Sequence, residues 1–157
     1  SSLVLSLLIL SLSHTRTHHT LPARAAFFIV VFFFFSFFSF FFFFSSTPRY
    51  QLHAKAVLHT VGPMGVKPDI LRSAYRSALD QSLAHGLKSI ALCSISTGIF
   101  GYDIRKATPV AMAAVREWLE EGDHADRMDA VIFCVFTNAD RAVYETYMST
   151  FFPVDLE

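Results

Sequence analysis

Residues 130–136, Ala-Val-Ile-Phe-Cys-Val-Phe, carry no hydrophilic side chain and stand between Asp129 and Thr137. β-branched and aromatic residues at this density specify a strand, and a strand apolar on both faces must be covered on both. It therefore belongs inside a sheet, not at an edge. Sheets of that kind are built from parallel strands joined by helical crossovers, which tells how the rest of the chain is to be read.

From Lys55 onward the sequence meets that requirement. Residues 56–61, Ala-Val-Leu-His-Thr-Val, are a β-type run that stops at Gly62-Pro63, because Pro63 cannot donate to a ladder. Ile70, Leu71, Ala74, Tyr75, Ala78, Leu79 and Leu83 then follow helical spacing, with Asp69 as the expected N-cap and His85-Gly86 as the stop. Residues 89–93 give a second apolar strand. Ala107, Ala111, Ala114, Val115, Trp118 and Leu119 mark a second helix. Thr108 as its N-cap and Pro109 at its first position would keep the proline out of the helix interior. Glu117, Glu120, Glu121 and Asp123 crowd its end against the helix dipole and mark solvent, not a site. Thr137 or Asn138 caps a last helix that carries Ala142, Val143, Tyr144 and Met148 toward Phe151-Phe152-Pro153. The predicted order is βαβαβα, with right-handed crossovers and ligand sites at the carboxyl ends of the strands.

The first 46 residues are of another kind. The 157-residue chain holds 13 Lys and Arg against 13 Asp and Glu, yet only Arg16 and Arg24 of these fall in residues 1–46. Zero formal charge excludes an electrostatic nucleic-acid binder. Of 18 phenylalanines, 13 lie in residues 27–44, and residues 32–46 are Phe and Ser alone. Residues 25–44 match the roughly 20-residue length of a membrane span and are flanked by Arg24 and Arg49. Natural spans, however, draw on Leu, Ile, Val, Ala and Gly, and this composition is low complexity. Phe, Ser, Leu and Pro can all be written with pyrimidine-only codons, and pyrimidine tracts precede splice acceptor sites. Residues 1–46 are therefore expected to be largely translated non-coding sequence outside the domain, with a membrane segment at 25–44 as the alternative. Residues 3–12 have the apolar character of a signal-peptide core but lack its basic lead and cleavage pattern.

Cys93 and Cys134 are too few for a disulfide framework or a structural zinc site, and their apolar surroundings predict burial in a reducing compartment. His14, His18 and His19 have no Cys or acidic partner nearby, so no metal site is expected. Ser94 is not in a Gly-x-Ser-x-Gly elbow. Chemistry concentrates instead in residues 94–101, Ser-Ile-Ser-Thr-Gly-Ile-Phe-Gly, between the second strand and the second helix. A strand leaving through small residues and glycine gathers backbone N–H groups in one concavity, which suits phosphate oxygens. Gly98 and Gly101 permit close approach, Ser96 and Thr97 offer hydroxyls, and Ile99 and Phe100 can cover a ribose. Neither a Walker nor a dinucleotide glycine spacing is present, so an ordinary strand-to-helix connection stays open beside the phosphate loop.

Taken together, His59-Thr60-Val61-Gly62-Pro63, Ser89-Ile90-Ala91, Ile95-Ser96-Thr97-Gly98-Ile99-Phe100-Gly101-Tyr102, Val115-Arg116-Glu117-Trp118-Leu119 and the 131–136 strand resemble a macro domain in order and spacing. The resemblance covers residues 50–153. It implies an α/β fold, the three-layer αβα macro domain, here truncated at its amino-terminal strands and preceded by the Phe/Ser segment. It also implies that residues 96–101 hold the diphosphate of ADP-ribose, with Phe100 and Tyr102 at the distal ribose. Phe136 would border the adenine, with Asn138 as a polar contact, although Phe136 reads equally as a core side chain of an apolar strand. His59 is expected to be a structural histidine. Asp103, and Leu92-Cys93, depart from the family pattern of proline after the loop tyrosine and of Phe-Pro before the loop.

The family's first half supplies an acidic residue to the adenine, an Asn-Ala-Ala-Asn stretch and a glycine-rich loop that positions the attacking water. None of these occurs here, and no glycine precedes Gly62. No catalytic residue and no cofactor are therefore expected in this chain, whose ligand would be ADP-ribose and whose partner an ADP-ribosylated protein. The resemblance implies a parent protein that hydrolyses ADP-ribosyl or O-acetyl-ADP-ribose linkages in cytoplasm or nucleus. The alternatives are a non-catalytic reader of ADP-ribose and a macro domain anchored to a membrane through 25–44. The remaining strands are expected to show unpaired edges, and this chain alone to bind weakly or not at all.

Overall fold

The computed structural model describes the backbone of residues 6–11, 29–31 and 46–47 and all atoms of residues 54–153. Strands β1 (Ser6–Ser11), β2 (Ile29–Val31), β3 (Ser46–Thr47) and β4 (Val57–His59) precede helix α1 (Pro68–Ala84). Then come β5 (Ser89–Cys93), α2 (Ile104–Leu119), the short α3 (His124–Arg127), β6 (Ala130–Val135) and α4 (Asn138–Phe151). The strands form one sheet in the order β1-β6-β5-β2-β4-β3. β5 and β6 are parallel and in register from Ser89↔Ala130 to Cys93↔Cys134, and β2 lies parallel to both β4 and β5. The βαβαβα order from residue 55 is thus the one observed, with α3 inserted in the turn before β6.

Four elements have boundaries other than those expected, the two helices for a local reason at their starts. Helix α1 starts at Pro68, not after Asp69, because proline's fixed φ suits the first helical position; Asp69 sits in the first turn, where a negative charge faces the dipole favourably. Helix α2 starts at Ile104, not at Pro109, because the Asp103 carboxylate accepts the Arg105 N–H at 2.9 Å and so caps the helix one turn earlier. Pro109 therefore lies inside the helix, where the Thr108 hydroxyl donates back to the Ile104 carbonyl at 2.7 Å. The first and last strands of the predicted set are shorter, Val57–His59 and Ala130–Val135, which leaves Val61 and Phe136 in loops. Thr137 is the cap of α4, exchanging bonds with Asp140 in a capping box.

The expectation of unpaired edges is overturned. β1 runs antiparallel along β6, β2 fills the place between β5 and β4, and β3 closes the other side of β4. Ladder bonds are made by the backbone, so the composition of residues 1–46 set no bar to pairing. The 25–44 span, apart from β2, and the three N-terminal histidines lie outside the described residues, whereas residues 6–11 of the 3–12 segment are strand β1 of the sheet. Among the described residues no helix is long and apolar enough to cross a membrane.

Alternate residues of the strands, Leu58, Ile90, Leu92, Val131, Phe133 and Val135, join one core with the buried faces of α1, α2 and α4. These helices form one layer on that face of the sheet; the second layer of the three-layer expectation falls outside the described residues. Trp118 is fully buried between α1 and α3. Its indole N–H donates to Asp80 at 2.7 Å, and its ring stacks on His124 with centroids 4.2 Å apart. Two ion pairs leave α1 one turn apart on the surface, Arg72 with Glu117 of α2 and Arg76 with Glu121, in the turn after α2, at 2.7 Å. Exposed pairs of this sort contribute about 1 kcal/mol or less, so the apolar core holds the layer.

Phe133→Ala is expected to lower stability by about 3–5 kcal/mol through the cavity it opens. Thr137→Ala should cost about 1 kcal/mol through loss of its cap. Urea unfolding monitored by circular dichroism checks both.

Candidate ligand-binding site

Because β4, β5 and β6 run in one direction, their carboxyl ends share one edge of the sheet. Three connections leave from that edge: residues 60–66, 94–102 and 136–138. The first two are joined where the Gly65 N–H donates to the Phe100 carbonyl at 2.9 Å.

The 94–102 loop is folded on itself. The Thr97 hydroxyl donates to the Ser94 carbonyl at 2.9 Å, the Gly101 N–H to Gly98 at 2.9 Å, and the Tyr102 N–H to Ser96 at 3.0 Å. These closures require left-handed backbone at Ser96, φ 67°, and at Gly101, φ 69°. Glycine adopts that region freely, whereas for serine it costs on the order of 1 kcal/mol. Strain of this kind concentrates at sites where the backbone must present its own groups. Among the described residues, the N–H groups of Ser96, Gly98 and Ile99 have no hydrogen-bond partner. The Ser96 hydroxyl is also unpartnered although buried. Successive free N–H groups around a left-handed residue form a concavity for an anion.

Beneath the loop lies a polar support. The Tyr75 hydroxyl, from α1, donates to the Cys93 carbonyl at 3.0 Å and accepts the Ile95 N–H at 3.0 Å, so it straddles Ser94. The Ser94 hydroxyl donates to the Tyr144 hydroxyl, from α4, at 3.4 Å. Burial pushes both phenols above their ordinary ionisation range, which keeps both hydroxyls protonated. Tyr144 also packs against Phe133, centroids 5.3 Å apart.

The sequence-predicted residues do not all sit alike. Residues 96–101 come together as the loop. Ile99 is 88% exposed and Phe136 69% exposed, just beyond the end of β6, so Phe136 is not a core side chain. Phe100 is half-buried, and Asn138 is exposed as the first residue of α4. Tyr102 is buried with its hydroxyl unpartnered, placing its ring in the core below the loop. His59 ends β4 half-buried. Val61 and Met64, both exposed apolar residues of the 60–66 loop, were not singled out by sequence. Nor were Tyr75 and Tyr144, although a hydroxyl on the apolar stripe of a helix demands a buried partner and was the available signal.

A family profile described as Macro domain matches residues 44–111. ADP-ribose glycohydrolase MACROD1 of Rattus norvegicus is 46% identical over 111 residues, which are 67% of this chain and 42% of that protein. The crystal structure of the Trypanosoma brucei macrodomain in complex with ADP-ribose superposes with a TM-score of 0.61 at 44% identity. It covers 66% of this chain and 44% of its own. The chain belongs to the macro domain family. Its fold agrees with more distant members too: the macro domain of ganglioside induced differentiation associated protein 2 gives a TM-score of 0.65 at 28% identity, covering 72% of this chain and 58% of that one. The chain spans about two fifths of the length of the MACROD1 relative, so this macro domain aligns with part of such a protein.

Tyr75→Phe removes both bonds that straddle Ser94 and leaves the Ile95 N–H buried without a partner. A loss of about 1–3 kcal/mol is expected in urea unfolding, with faster amide exchange confined to residues 94–102.

Proposed function

We propose that this macro domain carries one side of an ADP-ribose cleft, and that the protein it represents hydrolyses ADP-ribosyl or O-acetyl-ADP-ribose linkages. The observation that carries the reading is the set of N–H groups on Ser96, Gly98 and Ile99 that have no partner among the described residues, around a left-handed serine, in the stretch most specific to the family. Diphosphate oxygens are the anion that such a concavity accepts, with Thr97 and Gly101 completing the loop. Ile99 and Phe100 then belong to the distal ribose, with Tyr102 shaping that end from the core below, and Phe136 and Asn138 to the adenine, where an exposed ring at a strand end is free to stack. The relatives named ADP-ribose glycohydrolase and the ADP-ribose complex of the trypanosomal macrodomain support the same ligand.

Residues 50–153 are inferred to be the partial domain, and residues 1–46, of which the family profile takes in only 44–46, a separate segment. The partner is ADP-ribose or an ADP-ribosylated protein, met in cytoplasm or nucleus, with no resident cofactor and no catalytic group assigned to this chain. A non-catalytic reader is the second reading. It is favoured by Asp103, the acid nearest the loop in sequence, whose carboxylate is engaged as the cap of α2.

Calorimetric titration of ADP-ribose tests the proposal. The 157-residue chain is expected to bind weakly, and a longer natural protein that adds the family's first half to bind firmly. Gly98 has no positive φ, and a Cβ there meets nothing within 4 Å. Gly98→Val in the longer protein should therefore leave its unfolding midpoint unchanged while weakening ADP-ribose by about tenfold or more, ~1.4 kcal/mol. Unchanged affinity would remove the loop from the site. Release of ADP-ribose from a modified protein separates hydrolase from reader.

A further inference from the structure

Cys93 and Cys134 lie 41 positions apart in sequence but are direct register partners on β5 and β6. Register partners on neighbouring parallel strands are about 4.8 Å apart and project their side chains to the same face of the sheet. Both cysteines are free, and both are partly accessible to solvent. The spacing falls within the roughly 4.4–6.8 Å over which two Cα atoms are bridged by a disulfide. Burial pushes the Cys93 thiol up to about 11, and the nearby Cys134 thiol adds to the rise. Cys134 is raised as well, by burial alone.

We propose that Cys93 and Cys134 form a dithiol that closes to an intrachain disulfide by exchange with a low-molecular-mass disulfide such as oxidised glutathione. Cys134 is the first nucleophile, since its thiol is the less enclosed of the two. Its sulfur attacks one glutathione sulfur, the glutathione S–S bond breaks, and one glutathione thiol leaves with the Cys134 proton. Cys93 then attacks the Cys134 sulfur of the mixed disulfide, and the second glutathione leaves with the Cys93 proton. The two cysteines are oxidised by two electrons, and one glutathione disulfide is reduced to two thiols. Raised thiols exchange slowly, because the thiolate is the attacking species. Strands held at ladder spacing must also draw slightly together to bring the Cβ atoms to the roughly 3.5–4.5 Å separation of a disulfide, which makes the bridge a reducible one. The pair is thus open in a reducing environment and closes when the glutathione pool shifts.

The full chain is equilibrated natively with oxidised glutathione, alkylated, and digested with trypsin without reduction. The expected product is an intact mass lower by two hydrogens and a peptide pair joining residues 89–105 to 128–141, released by dithiothreitol. Cys134→Ser should yield no such pair. The proposal is overturned by an unchanged mass, by glutathione adducts that persist on one cysteine beside a free thiol on the other, by crosslinks only between two chains, or by a bridge that forms only in urea.

Discussion

The parallel pairing of β5 with β6 is the constraint on which the rest of this structure depends. It sets two strand ends side by side, and whatever leaves those ends, the 94–102 loop and the 136–138 connection, is delivered to the same place. The helices answer to it as well. α2 must span from the end of β5 back to the start of β6, and with α1 and α4 it covers the same set of alternate strand residues. A shift of one residue between the strands would turn either Phe133 or Leu92 away from that layer and displace Phe136 relative to the loop.

The loop itself is held from below by hydroxyls and from within by its own backbone. Tyr75 bonds to the carbonyl before Ser94 and to the amide after it, so the direction in which the chain leaves β5 is fixed by a helix side chain. The left-handed turn at Ser96 follows at once. The division of labour is physical: buried hydroxyls consume the polar groups on the inner side, and the outer N–H groups are left for something that arrives from solvent.

Much of this was legible in sequence where the signal was periodic or covalent in origin. The apolar run of β6, the helical spacing of Leu71, Ala74, Ala78 and Leu79, the stop at Gly86 and a cap at Thr137 or Asn138 are local features, and local sequence determines them. The start of α2 was not legible, because Pro109 and Asp103 offered competing starts and the choice depended on a single carboxylate bond at 2.9 Å. The edges of the sheet were not legible either, since backbone pairing leaves no mark in composition. Residues 96–101 were recognisable as a loop of small residues. Their support by Tyr75 and Tyr144 arises from contacts between distant segments, and so does the outward position of Phe136, which depends on β6 ending one residue earlier. Membership of the macro domain family rested on the order of several such stretches, not on any one.

Trp118 is the only tryptophan in the chain. Its indole is sealed from solvent, tethered to Asp80 of α1 and stacked on His124. The protein is thus built with one indole fluorophore, placed inside its helical layer at the opposite end of α2 from the loop at the sheet edge. Its emission reads the integrity of the α1 and α2 packing, whereas events confined to residues 94–102 pass in the dark and need a reporter of their own.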